Sequence, residues 1–177
     1  LAQGKGYRIL SLPDQPYQTK YPPLYPLLLS AVWRTAPDFP DNLRIAILVS
    51  WLTLPVYLLT ALLLFREFNL GWLHSIVLCC ALALNPYVTL CSVSLMTELT
   101  FCSLLLASLV LIERATRSRT GGLLTIAAGV LAAAAFLTKS VAIVLCVSGT
   151  LYFVLQRQYR RAALFLGSVL PAILAWS

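Results

Sequence analysis

The chain has 177 residues, 60% of them hydrophobic and only 11% charged, where soluble domains carry about 25% charged residues. With a mean hydropathy of +0.86, this balance excludes an ordinary soluble domain and points to the lipid bilayer. The formal net charge of +7 would suggest nucleic acid in a soluble protein, but here the arginines sit in short clusters between apolar runs, the positive-inside pattern, and no nucleic-acid partner is expected.

The expected fold class is all-α, a polytopic transmembrane helical bundle with an extracytoplasmic first loop of short interfacial helices. Residues 1–42 hold seven of the ten prolines and half of the acidic residues, so they read as that loop. Its centre is Lys20-Tyr21-Pro22-Pro23-Leu24-Tyr25-Pro26. Three prolines in five positions cannot propagate a helix, because each fixes φ and removes a donor. Tyrosines and a lysine beside them suit the membrane–water boundary, where an amphipathic ring and a snorkelling ammonium both fit. The stretch reads either as a ledge for substrates (Tyr21, Pro22, Pro23 and Tyr25) or as a plain surface linker. A short interfacial helix is predicted over 24–34, and Asp41 and Asn42 are candidate N-caps for the helix that follows.

Six membrane segments are predicted, at about 43–65, 72–91, 97–113, 121–138, 140–155 and 162–177. The first, at about 1.5 Å per residue, is about 34 Å long and covers a hydrocarbon core of about 30 Å. Pro55 lies inside it, and Asn85-Pro86 breaks the second. The apolar run from Gly122 to Phe153 is too long for one span, so it is expected to fold back at its single charge, Lys139. Leu1 and Ser177 look like cut ends, which suggests a piece of a longer multi-span protein.

One set of loops holds Arg66, then Arg114, Arg117 and Arg119, then Arg157, Arg160 and Arg161, whereas the opposite short loops hold only Lys139. The positive-inside rule places the arginines in the cytoplasm. Glu98, Lys139 and the proline-rich ledge then share the outer side. Glu98 is the candidate catalytic residue, as general base, acceptor holder or metal ligand; the plain alternative is a carboxylate favoured by a helix start. Lys20, Lys139 and Arg44 are candidates for binding a donor phosphate as point charges. The alternatives are snorkelling for Lys139, a solvated surface site for Lys20 and a span anchor for Arg44. Gly4-Lys5-Gly6 is no phosphate loop, since position 9 is Ile9. The five cysteines show no metal-site spacing and read as small core residues, and His74 reads as interfacial packing.

Leu1-Ala-Gln-Gly-Lys-Gly-Tyr7, Lys20-Tyr-Pro-Pro-Leu-Tyr-Pro26, Pro40-Asp-Asn-Leu-Arg44 and Leu95-Met-Thr-Glu98 occur in this order. Over roughly residues 1–114 the pattern resembles the N-terminal part of GT-C-type membrane glycosyltransferases, which include protein O-mannosyltransferases and the lipid A aminoarabinose transferase. The resemblance implies a polyprenyl-phosphate-linked sugar as donor, transfer to an acceptor glycan, lipid or protein outside the cytoplasm, and a bacterial plasma membrane location. It implies a catalytic acidic residue upstream of position 1, a second acidic residue matching Glu98 and, in some members, a divalent metal ion near these groups. One departure is that Thr19-Lys20-Tyr21 precedes Pro22, where the aminoarabinose transferase has an acidic residue and a lysine immediately before Pro-Pro. The competing expectations are a non-enzymatic transporter or flippase, for which broken helices and a midplane charge would speak, and a purely structural membrane subunit.

Overall fold

The computed structural model describes residues 6–8, 14, 17–18, 21–118 and 121–176. Lys20, Lys5 and Arg119 therefore lie outside the described residues. Among those described, the secondary structure is helical apart from one isolated antiparallel bridge between Arg8 and Tyr17.

Helix α1 (Leu24–Thr35) begins inside the proline-rich stretch. The helix expected over 24–34 is therefore present, and the prolines that cannot propagate a helix stand at its start, with Pro23 as the N-cap. Pro26 sits in the first turn, where its missing N–H is one that no helical carbonyl would have accepted. Pro23 itself accepts the Leu27 amide at 2.9 Å. Helix α2 (Asp41–Glu67) starts earlier than the sequence suggests. The Asn42 amide already donates to Asp38 O at 3.0 Å, so Asp41 and Asn42 lie inside the helix instead of capping it. Asn42 is buried, and its Oδ1 has no partner among the described residues. Pro55 is carried within α2 without ending it.

Asn85-Pro86 does break the next segment. Helices α3 (Trp72–Ala83) and α4 (Pro86–Val93) meet at a bend of 61°. The Asn85 side chain accepts from the Tyr87 amide at 2.9 Å and the Val88 amide at 3.4 Å, while Pro86 occupies the first turn. Both residues thus favour starting a new helix at this point over continuing the old one. Helix α5 (Glu98–Arg117) follows, then α6 (Gly122–Thr138). The chain turns back at Lys139 through a 3-10 turn (Ser140–Ala142) into α7 (Ile143–Leu155), as the excess length of that apolar run predicts, and α8 (Tyr159–Trp176) follows.

Two helices, α2 and α5, are long and apolar enough to cross a membrane, and the bent α3–α4 pair makes a third if counted as one span. Helix α6 and the segment containing α7 are shorter apolar helices, near the lower limit of spanning length as the folded-back apolar run implies. Many large apolar side chains on the outer faces, such as Leu48, Leu52, Val56 and Leu59 of α2, are exposed.

The main core lies among α5, α6, α7 and α8. Ala128, Ala132 and Ala135 of α6 are fully buried, together with Phe153 of α7 and Phe165 and Val169 of α8. Small residues let helix backbones approach closely. Gly129 shows how closely: a Cβ there would stand 2.6 Å from Ser168 Cβ and 2.9 Å from Phe165 O. Ser108 of α5 donates across the α5–α6 interface to Ala128 O at 2.9 Å. A smaller cluster of Val88, Cys91 and Leu99 joins α4 and α5 to α2 through Leu54 and Tyr57.

The packing segregates charge. Glu67, at the end of α2, pairs with Arg114 at 2.6 Å and Arg117 at 3.6 Å near the end of α5. Arg117 also pairs with Glu113 at 2.7 Å, and Tyr152 of α7 donates to Glu113 at 2.9 Å. Arg161 reaches from α8 to Ser118 O at 2.6 Å. The described members of the arginine clusters therefore gather at one end of the helices, and Glu98 and Lys139 lie at the other.

Candidate functional site

At the end opposite the arginine clusters, a cavity of about 600 Å³ opens between α1, the start of α5 and the turn after α6. Each charged wall has a local cause. Glu98 is the first residue of α5, where the partial positive charge of the helix start favours a carboxylate. Lys139 stands where α6 stops, in extended conformation with φ −145° and ψ 125°. Its amide still bonds to Ala135 O at 2.9 Å, so the helix ends in order and the side chain is thrown clear of it.

These two residues, 41 positions apart in the chain, meet directly. Lys139 Nζ donates to Glu98 Oε1 at 2.7 Å, with about a third of each side chain exposed. Nζ also stands 6.0 Å from the centre of the Phe101 ring, one helical turn along α5. An ammonium has three N–H donors. Among the described residues Glu98 is the one ion-pair partner of Lys139, and the pair faces an open cavity.

The opposite wall is aromatic and stiff. Tyr21, Pro22, Tyr25 and Pro26 line it, with Tyr7. Tyr25 is buried, and its hydroxyl lies 3.1 Å from Ser50 Oγ, which ties α1 to α2. Burial pushes the Tyr25 phenol above its ordinary value; the Ser50 hydrogen bond opposes that shift and the nearby Glu98 charge adds to it. The phenol is therefore neutral at neutral pH. Burial likewise raises Tyr7. Tyr7 O accepts the Gln18 amide at 2.8 Å, pinning that part of the loop.

Of the residues singled out from sequence, Glu98, Lys139, Tyr21, Pro22 and Tyr25 line one cavity. Pro23 caps α1 behind the wall. Arg44 is not among the lining residues; it lies 3.5 Å from Asp41 on the exposed first turn of α2, which fits the span-anchor alternative. Lys20 lies outside the described residues, although its neighbour Tyr21 is on the cavity wall. Thr97, Thr138 and Ser140, which flank the two charges, and Tyr7 also line the cavity, and none of them was singled out from sequence. The first three were findable as chain neighbours of Glu98 and Lys139; Tyr7 is brought in by the loop, which carries no periodic signal.

A divalent ion would find a poor donor set here. Among the described residues Glu98 is the one carboxylate on the cavity wall, and it is already engaged by Lys139. Among the described residues no three His, Cys, Asp or Glu side chains come together as metal ligands. The arrangement instead offers one acceptor carboxylate, one ammonium for an anion and ring faces for an apolar or sugar-like surface. Comparison of the chain with protein-family models, with curated proteins and with solved structures gave no match.

Proposed function

We propose that the chain is the catalytic membrane part of a glycosyltransferase that moves a sugar from a polyprenyl-phosphate donor to a hydroxyl of a glycan, lipid or protein acceptor. The active end would face away from the cytoplasm at a bacterial plasma membrane, with the helices forming the six-segment bundle expected from the hydropathy. The observation that carries the reading is the Glu98–Lys139 ion pair, open to a cavity walled by tyrosine and proline at the end of apolar helices remote from the arginine clusters.

In this reading the acceptor oxygen attacks the anomeric carbon while the bond from that carbon to the donor phosphate oxygen breaks. The electron pair leaves on the phosphate, and direct displacement inverts the anomeric centre. Lys139 stabilises the charge that develops on the leaving group, which it can do without releasing Glu98, because an ammonium carries three donors. Glu98 holds the acceptor hydroxyl and takes its proton. Tyr21, Tyr25 and the prolines give the sugar and the first isoprenoid unit a rigid surface. No step is routed through a metal.

The experiment is transfer of radiolabelled sugar from a panel of polyprenyl-phosphate sugars in membranes that carry the chain. Glu98→Gln should lower the turnover by about 100-fold or more, the usual contribution of a general base. Lys139→Gln should raise the donor KM, and it should weaken binding of polyprenyl phosphate alone. Full transfer by Glu98→Gln would remove its assigned role.

The 61° break between α3 and α4 favours a second reading, a transporter, since discontinuous helices build substrate sites in such proteins. The cavity charges lie at one end of the helices and not at mid-depth, which weighs against it. Substrate uptake into liposomes without sugar transfer would decide for the transporter.

A further inference from the structure

The arginine end carries a second cleft, of about 820 Å³, lined by Arg117 and Ser118 from the α5 side, Gly122 at the start of α6, and Arg157, Arg160 and Arg161 around the start of α8. Its charge is not balanced. Arg117 is offset by Glu67 and Glu113. Arg161 is held in place by Thr116 O at 3.3 Å, Ser118 O at 2.6 Å and Gln158 Oε1 at 2.7 Å, all of them uncharged acceptors. The side chains of Arg157 and Arg160 are exposed and make no hydrogen bond or ion pair among the described residues. Three guanidiniums thus border one concavity with no carboxylate of the described residues in ion-pair contact. Two helices, α6 and α8, start at its edge, and no side chain caps α6. Helix starts add partial positive charge of their own.

We infer that this cleft binds the phosphate-bearing headgroup of an anionic phospholipid in the leaflet at the arginine end. Guanidiniums match phosphate oxygens as paired donors, and Arg161, already fixed by backbone carbonyls, loses little freedom on binding. A lipid fits better than a free phosphate because the cleft borders apolar surface. Leu123, next to Gly122, is 78% exposed, and Leu155, two residues before Arg157, is 72% exposed. Acyl chains can cover those side chains while the headgroup occupies the cleft. This site lies at the far end from the Glu98–Lys139 cavity and does not depend on the reaction proposed there.

The test is native mass spectrometry of the full chain in detergent with equimolar phosphatidylglycerol and phosphatidylcholine. The chain should retain phosphatidylglycerol preferentially. That preference should fall about fivefold for each arginine removed, in Arg157→Gln, Arg160→Gln and the double variant. Arg34→Gln, which removes an exposed charge on α1 outside the cleft, should leave it unchanged. An unchanged melting temperature of the double variant separates loss of binding from loss of fold. Equal retention of the two lipids by the unaltered chain, or an undiminished preference in the double variant, would overturn the inference. Displacement of the lipid by millimolar inorganic phosphate, equally from the unaltered chain and from Arg34→Gln, would make the ligand a free phosphate and overturn the lipid assignment.

Discussion

Lys139 illustrates how one residue can end a helix and build a site. Its backbone leaves α6 in extended form while its side chain crosses to the first residue of α5. Because both side chains are partly exposed, the direct coupling is about 1 kcal/mol or less. Lys139→Glu and Glu98→Lys should each lower the melting temperature, and the double charge swap should recover most of the loss. If the swap melts no higher than either single variant, the two charges do not interact. Tyr25 gives a pH prediction. Its phenol is raised in the folded protein, so its stabilising contribution is complete below the unfolded value of about 10 and is lost as pH rises through the folded value. Tyr25→Phe should therefore cost about 1 kcal/mol by losing the Ser50 hydrogen bond, with the same deficit at pH 6 and pH 9. A deficit that changes between these pH values would contradict a neutral phenol.

At the scale of elements, the breaks follow from side-chain chemistry. Asn85 caps α4 through two amides, so Asn85→Ala should cost about 1 kcal/mol, read as a lower melting temperature. Gly129 fits α6 against α8 with no room for a Cβ, since Phe165 O, a backbone atom, would stand 2.9 Å away. Gly129→Val should destabilise by about 1–3 kcal/mol through overpacking; a variant as stable as the unaltered chain would mean that the two helices do not meet there. The sequence made the Asn85-Pro86 break and the reversal at Lys139 legible, because proline lacks a donor and an apolar run of that length exceeds one span. It misled at 41–42, while the helix expected over 24–34 formed with Pro26 inside it. Asp41 and Asn42 look like caps, but the Asp38 carbonyl already closes a turn onto Asn42. Pro26 is tolerated in α1 because a first-turn position asks nothing of its nitrogen. Cap and breaker rules act one turn at a time, so they fix the presence of a helix better than its first residue.

Over the whole molecule, charge is sorted to two ends of an apolar helical body. Counting arginines by loop was enough to foresee that sorting and the placement of Glu98 and Lys139 at one end, since every second reversal returns the chain to the same end; their direct contact came from the structure. Arg44 turning to Asp41, three residues back on the same helix, fits the span-anchor alternative that the sequence already offered. Local sequence gave no sign that the loop brings Tyr7 to the wall, which depends on how the loop packs and which no periodic pattern encodes. This two-ended arrangement is tested directly by labelling with a membrane-impermeant maleimide in sealed vesicles of one orientation, in a background where Cys79, Cys80, Cys91, Cys102 and Cys146 are replaced by alanine. Thr97→Cys and Ser140→Cys, beside the two cavity charges, should react from one face, and Arg157→Cys from the other alone. Labelling of positions 97 and 140 from opposite faces would contradict it.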